Sequence, residues 1–272
     1  MGIADLLALL VTGAFAGLIA GFLGIGGGAI LTPLCLVIYP TLGISPDNLV
    51  HVIFGTNMFL VTVFSISAVS RHHGNRNIIW RTVLIMGPLA ILGSFAGGWA
   101  ASVSHPEFLK KAFAAILLFS SLLIILKGSA NPSSTSDPPP GLCLSEKWLP
   151  VLGFTAGFLG SMLGIGGGAI MIMPLILLFK LPICRIAGTS SSVIIFIGLA
   201  GMTSYMFFGR QAVDLPGWHT GYVWWSAAFP LMIGGVFMAQ AGAWLNNRIK
   251  AKFLRRIFGA ALFIIAIRML FS

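Results

Sequence analysis

The chain of 272 residues is 57% hydrophobic and only 8% charged, with a mean hydropathy of +0.99, a usage that excludes a soluble enzyme. Its formal charge of +10 does not mark a nucleic-acid binder, because the cations cluster in short gaps between apolar runs and read as topology signals. Cys35, Cys143 and Cys184 are scattered, odd in number and outside any CxxC or His/Cys cluster, so no disulfide framework, structural metal or other cofactor is expected.

A hydrocarbon core of about 30 Å takes about 20 apolar residues per helix. The apolar runs are too long and too little alternating for a barrel, and an all-α polytopic membrane protein is expected. The N-terminus lacks a basic n-region and a small-residue cleavage site, so the first run is expected to belong to the mature protein. In chain order the predicted elements lie at about 5–39, 48–70, 80–102 and 108–126. Then comes GSANPSSTSDPPP, residues 128–140, which cannot bury apolar area and reads as a flexible linker. The second series lies at about 148–179, 184–208, 218–245 and 253–271. This divides the chain into a first transmembrane repeat at 1–127, a Pro/Ser-rich linker at 128–147 and a second repeat at 148–272.

The division is a duplication. LGIGGGAI occurs at residues 23–30 and again at 163–170, and the same shift aligns Gly13 with Gly153 and Gly17 with Gly157. Downstream, Gly55-Thr56-Asn57 answers to Gly188-Thr189-Ser190, and Leu109-Lys110-Lys111 to Leu254-Arg255-Arg256. The first element of each half exceeds one ordinary span and is interrupted by three glycines, which would cost a continuous helix about 1 kcal/mol each. If each first element crosses once, the sixteen Lys and Arg divide nine to seven across the membrane. If each folds back at its glycines as a re-entrant hairpin, one side collects Arg71, Arg76, Arg81, Lys127, Lys147, Lys180, Arg185, Arg248, Lys250, Lys252, Arg255 and Arg256. The other keeps only Lys110, Lys111, Arg210 and Arg268. The second count is the asymmetry that positive-inside topology requires. The expectation is therefore two homologous halves forming an inverted repeat, each a glycine-broken, re-entrant first element followed by three transmembrane helices.

Broken helices at the interface of inverted repeats are a recurring place for transported ligands. Helices restarting at Ala29 and Ala169 leave backbone N–H groups free at a positive dipole end, and Gly26, Gly27, Gly28, Gly166, Gly167 and Gly168 would let an anion approach them. The same glycines would equally serve close helix packing alone. Thr56, Asn57, Thr189, Ser190 and Ser191 fall inside apolar elements and are the second set of ligand candidates, with interhelical or same-helix hydrogen bonding as the plainer account. Asn57 stands out, since its amide cannot satisfy both donors locally. His51 is a candidate coupling group for a proton or sits at the water boundary. Arg185 is an anion-attracting candidate or a topology signal. His72 and His73 are read as parts of a basic loop. Asp5, Asp47, Glu107, Asp137, Glu146 and Asp214 all fall at element ends or in loops, which weakens cation transport and leaves no catalytic carboxylate pair.

The doubled motif, from Gly21 through LGIGGGAI to Pro33 and its second copy, resembles the TauE/SafE family of membrane permeases, and the similarity spans the whole chain. The resemblance implies a carrier of sulfite or C2 and C3 organosulfonates, an exporter in the first place, in a bacterial inner membrane. Its site would rest on the two glycine triplets with Thr56, Asn57, Thr189 and Ser190. The Asn57/Ser190 mismatch would make that site chemically uneven. No phosphate-binding loop of an ATPase is present, so energy would come from a gradient. An anion channel, an importer of another small organic anion and a non-transporting scaffold are the competing readings. The partners expected are a small anion, the lipid bilayer and a coupling proton or ion, with no nucleic acid. Small-residue faces would allow a homodimer, but they serve packing within one chain equally well. Single cysteines at positions 75 and 247 should label from the same face of the membrane; labelling from opposite faces would exclude the inverted arrangement.

Overall fold

A computed structural model describes residues 2–127, 146–177, 183–211 and 215–246, with positions 263, 266, 267 and 269 of the last predicted element. Most of the predicted linker and most of that last element lie outside the described residues. The helices are α1 (Ile3–Leu23), α2 (Gly28–Thr41), α3 (Pro46–Gly74), α4 (Trp80–Ser102), α5 (Pro106–Lys127), α6 (Leu149–Met162), α7 (Gly168–Leu177), α8 (Ile183–Phe208) and α9 (Trp225–Asn246). A short hairpin, β1 (His219–Thr220) and β2 (Val223–Trp224), precedes α9. Five helices, α1, α3, α4, α8 and α9, are long and apolar enough to cross a membrane, and the all-α polytopic expectation holds.

Both long first elements break where expected. The chain leaves α1 at Gly24 and turns through Gly26 and Gly27, both at φ above +80°, a region open to glycine with little strain. It reverses far enough that a side chain on Gly27 would touch the Ala20 methyl and the Ala16 carbonyl. Gly166 and Gly167 repeat the geometry, with Gly167 turned back onto Ala156. The helices restart at Gly28 and Gly168, one residue earlier than the sequence suggests. The arms of the first hairpin are unequal: α1 has 21 residues and α2 has 14. The predicted span at 218–245 begins instead with the hairpin, because Pro216 and the left-handed Gly217 and Gly221 stop any helix before Trp225. His72 and His73 are not in a loop; they form the last turn of α3.

The halves are interleaved. Glycines spaced four apart on α1 bring its backbone against α9 of the other half, Gly13 on Leu231, Gly17 on Gly235 and Gly21 on Ala239, so the two run parallel. In the same way Gly93 and Gly97 of α4 meet Phe154 and Phe158 of α6. The equivalent central helices run antiparallel: Gly198 of α8 packs on Met58 and Thr62 of α3, and Asn77, just past α3, meets Gly188 near the start of α8. Small residues at helix contacts replace the hydrophobic drive that lipid cannot supply. Large apolar side chains such as Val11, Phe15, Leu84, Leu92 and Phe237 point outward, as they do where the surroundings are hydrocarbon. A methyl on Gly17 would run into the Gly235 backbone, so Gly17→Ala should destabilise by about 1–3 kcal/mol and lower Tm in detergent. Gly74→Ala, with nothing within 4 Å, should leave Tm unchanged or slightly raised.

Candidate functional site

The two glycine breaks meet at the crossing of α3 and α8. A side chain on Gly28 would strike the Gly164 carbonyl and lie 2.8 Å from the Ile165 Cα, and one on Gly168 would lie 2.6 Å from the Ile25 Cα. Gly26 and Gly166 press on the same two side chains, Val61 of α3 and Ile194 of α8. The N-termini of α2 and α7 therefore converge at the centre of the molecule. Gly27, the residue before α2, offers no side-chain cap, so the first N–H groups carry the positive end of the helix without a built-in acceptor.

Polar side chains of α3 and α8 border this junction and are all buried. Asn57 Nδ2 donates to Thr32 Oγ1 of α2 at 2.9 Å, while its Oδ1 is buried without a partner. Turning the amide over would let Thr32 donate to Oδ1 and leave both N–H groups for a ligand. Ser190 spends its hydroxyl on carbonyls, donating to Gly24 at 2.8 Å and to Ala187 at 3.2 Å. Ser191 is buried beside it. The two threonines do something else. Thr56 Oγ1 accepts from the Trp224 N–H at 3.0 Å and Thr189 Oγ1 from the Ile79 N–H at 3.1 Å. Each thus holds the backbone entering a helix of the opposite half, and the glycine before it, Gly55 or Gly188, admits the Tyr222 or Asn77 carbonyl.

The remaining candidates lie away from the junction. His51 is buried near the start of α3, and its Nε2 bridges the Ala101 and Ser104 carbonyls at 3.0 and 3.2 Å, closing the end of α4. Its ring stacks on Tyr222 with centroids 5.0 Å apart; burial pushes that phenol up from its ordinary range. Arg185 is half-buried one turn before Thr189. A cavity of about 380 Å³, lined by Asp5, Thr41, Pro216, Trp224 and Ser226, opens from one end of the molecule. It stops at Trp224, whose ring meets Tyr39 edge-on at 5.0 Å.

Sequence reasoning missed Thr32, Val61, Ile194 and Lys110. The signal for the clamp was available, because Thr56/Thr189, Asn57/Ser190 and Val61/Ile194 share one spacing of 133 residues. Lys110, counted only as a topology charge, borders the same closely packed spot as Thr32, Ile53 and Phe54, where no water-sized space is left.

The family model "Sulfite exporter TauE/SafE" matches residues 9–269. The chain belongs to the TauE/SafE family. Among TauE/SafE relatives, a "Probable membrane transporter protein" of Haemophilus influenzae is 27% identical over 264 residues, covering 97% of both chains. One of the same description from Methanocaldococcus jannaschii is 28% identical over 263 residues, covering 96% of this chain and 94% of the relative. A third, from Bacillus subtilis, is 24% identical and covers 97% of each. No solved structure matches. Within this TauE/SafE chain the two threonines are assigned to holding helix entries, so Thr56→Val and Thr189→Val should each strand a buried N–H and cost about 1–3 kcal/mol, read as a lower Tm. Ser192→Ala, which loses only a bond to its own helix, should change Tm little.

Proposed function

We propose that this multi-pass membrane protein is a secondary transporter of small sulfur-containing anions, sulfite or C2 and C3 organosulfonates, exporting them across a bacterial inner membrane. The observation that carries the reading is the meeting of the α2 and α7 N-termini where the two breaks pack on each other, with the Asn57 amide bonded to Thr32 of α2 on one side. Opposed helix ends supply N–H donors and positive potential to an oxyanion without a buried cation at the contact. The family name and the relatives' names point the same way, the first towards sulfite export and the second towards membrane transport. The substrate and the direction belong to this proposal.

The antiparallel course of α3 and α8 supports placing the halves in opposite orientation across the membrane. In that arrangement, rocking one interleaved unit against the other would open the junction alternately to each side. The plug of Tyr39 and Trp224 closes one approach. Lys110, at the packed spot it shares with Thr32, and the half-buried Arg185 are the cations assigned here to attracting the anion.

The test is flux in proteoliposomes for sulfite, sulfate, sulfoacetate, taurine and lactate, with and without a pH gradient. Saturable, competable flux of sulfite or sulfoacetate is expected, reduced at least tenfold by Asn57→Ala, with Lys110→Gln raising KM more than it lowers the maximal rate. Unitary conductance would assign a channel instead. Absence of flux across the panel from folded protein would overturn the transport reading.

A further inference from the structure

The carbonyl three residues before each break is held by a side chain of the central helix of its own half, at equivalent places. In the second half, the Tyr205 hydroxyl of α8 donates to the Ser161 carbonyl at 3.0 Å. In the first half, His72 Nε2 of α3 bonds the Gly21 carbonyl at 3.3 Å. The correspondence follows from the repeat: His72 and Tyr205 are 133 residues apart, the spacing of Asn57 and Ser190, and Gly21 and Ser161 are 140 apart, the spacing of the two LGIGGGAI motifs. The same structural task is thus done by a phenol in one half and by an imidazole in the other. A phenol offers no basic site for a proton near neutral pH, whereas an imidazole keeps a basic ring nitrogen.

His72 has no exposed surface, and its Nδ1 is buried without a hydrogen-bond partner. With Nε2 donating to Gly21, the ring is neutral and Nδ1 is the vacant basic position. A proton added there would form a buried N–H without an acceptor and a charge without a counter-ion. The neighbouring titratable groups are Arg71 and His73 on α3, Arg76 just past it and Arg185 on α8, one turn from Gly188, which lies against the His72 Cβ. The packed stretches of α1 and α9 contribute none. Among the described residues, the carboxylate at this end is Glu146, and it is paired with Arg81 at 2.8 Å. Hydration of the ring would relieve both costs, and hydration requires the first break to separate from α3.

We propose that His72 is the proton-binding residue that couples pH to opening of the first glycine break, making the proton the coupling ion of the transport proposed above. The balance is simple: one proton from water adds to Nδ1 as the contact between α1 and α3 opens, and returns to water on the side where it recloses. The sign follows from the vacant Nδ1. The closed arrangement is fully stable while His72 is neutral and weakens as pH falls through the histidine range, by up to about tenfold in the opening equilibrium per pH unit for one proton. Proximity to Gly188, two residues before Ser190, puts this event beside the junction and leaves α6 and α7 unaffected.

The deciding experiment is amide hydrogen exchange of the intact protein in lipid nanodiscs between pH 8 and pH 5.5, corrected for the chemical rate. Residues 18–27 should gain several-fold, up to about tenfold, in opening at the acid end while residues 158–167 do not. His72→Tyr, which copies the second half, should keep the segment protected and abolish its pH dependence. Tyr205→His should transfer that dependence to residues 158–167. A pH-independent wild-type segment, or a dependence surviving in His72→Tyr, would overturn the assignment. Sulfoacetate flux on the same preparations separates the two proposals. Pyranine-reported proton movement accompanying flux in the wild type and missing in His72→Tyr, with counterflow retained, supports the coupling role. Absence of sulfoacetate counterflow in every variant counts against the transport reading for that substrate, while hydrogen exchange still decides the fate of His72.

Discussion

At the centre of the molecule Gly28 is pressed against the Gly164 carbonyl and Gly168 against the Ile25 backbone, so each chain reversal is the packing surface of the other. Irregular backbone at membrane depth survives only where protein satisfies its polar groups, and here that demand is met in detail. Ser190 donates to the Gly24 carbonyl and Tyr205 to the Ser161 carbonyl, while Ile165 and Gly166 both donate to Gly160. The side-chain donors Ser190 and Tyr205 sit on α8, which crosses α3 at the breaks. That crossing in turn fixes the exchange of partners, with α1 lying along α9 and α6 along α4. Neither half could bury its own reversal, which is a physical reason for the duplication to persist as one interleaved body.

Much of this was legible beforehand. The repeated LGIGGGAI located both breaks, and α4 falls on its predicted bounds of 80–102. The polar residues inside apolar runs do border the junction. What was not legible is whatever depends on contacts between halves. Nothing local to Thr56 shows that it will accept the N–H of Trp224, 168 positions away. His72 sits among Arg71, His73 and Arg76, a composition that imitates a solvated loop, yet its ring faces α1 while its neighbours point to water. The start of α9 was placed too early because the apolar residues of the 219–224 hairpin are indistinguishable from helix by composition; only the left-handed glycines flanking and within it separate them.

The pseudo-symmetry is close in backbone and unequal in chemistry, and the inequality has a direction. At the two positions matching Asn57 and His72 the second half is saturated, Ser190 being committed to Gly24 and Ala187 and Tyr205 to Ser161, although the Ser161 hydroxyl is itself buried without a partner. In the first half the same positions keep unused capacity, an amide oxygen on Asn57 and a ring nitrogen on His72. A buried polar atom without a partner carries a cost of about 1–3 kcal/mol, and two such atoms at matched places in one repeat concentrate that cost where the symmetric partner avoids it.

Such concentrated strain bears on how an anion would sit between the breaks. Two opposed helix N-termini present nearly the same field from both sides, which holds a charge at the midpoint but does not orient it. Orientation needs a directional group on one side only. Asn57, tethered through Thr32 to the start of α2, is such a group, and it moves with the half whose break is secured by His72 rather than by a phenol. Anion contact and proton contact are then carried by the same helix, α3, fifteen residues apart on one continuous run from Pro46 to Gly74. A displacement of α3 against α1 would change both at once, and a shared rigid element biased by two ligands is the physical requirement for coupling them.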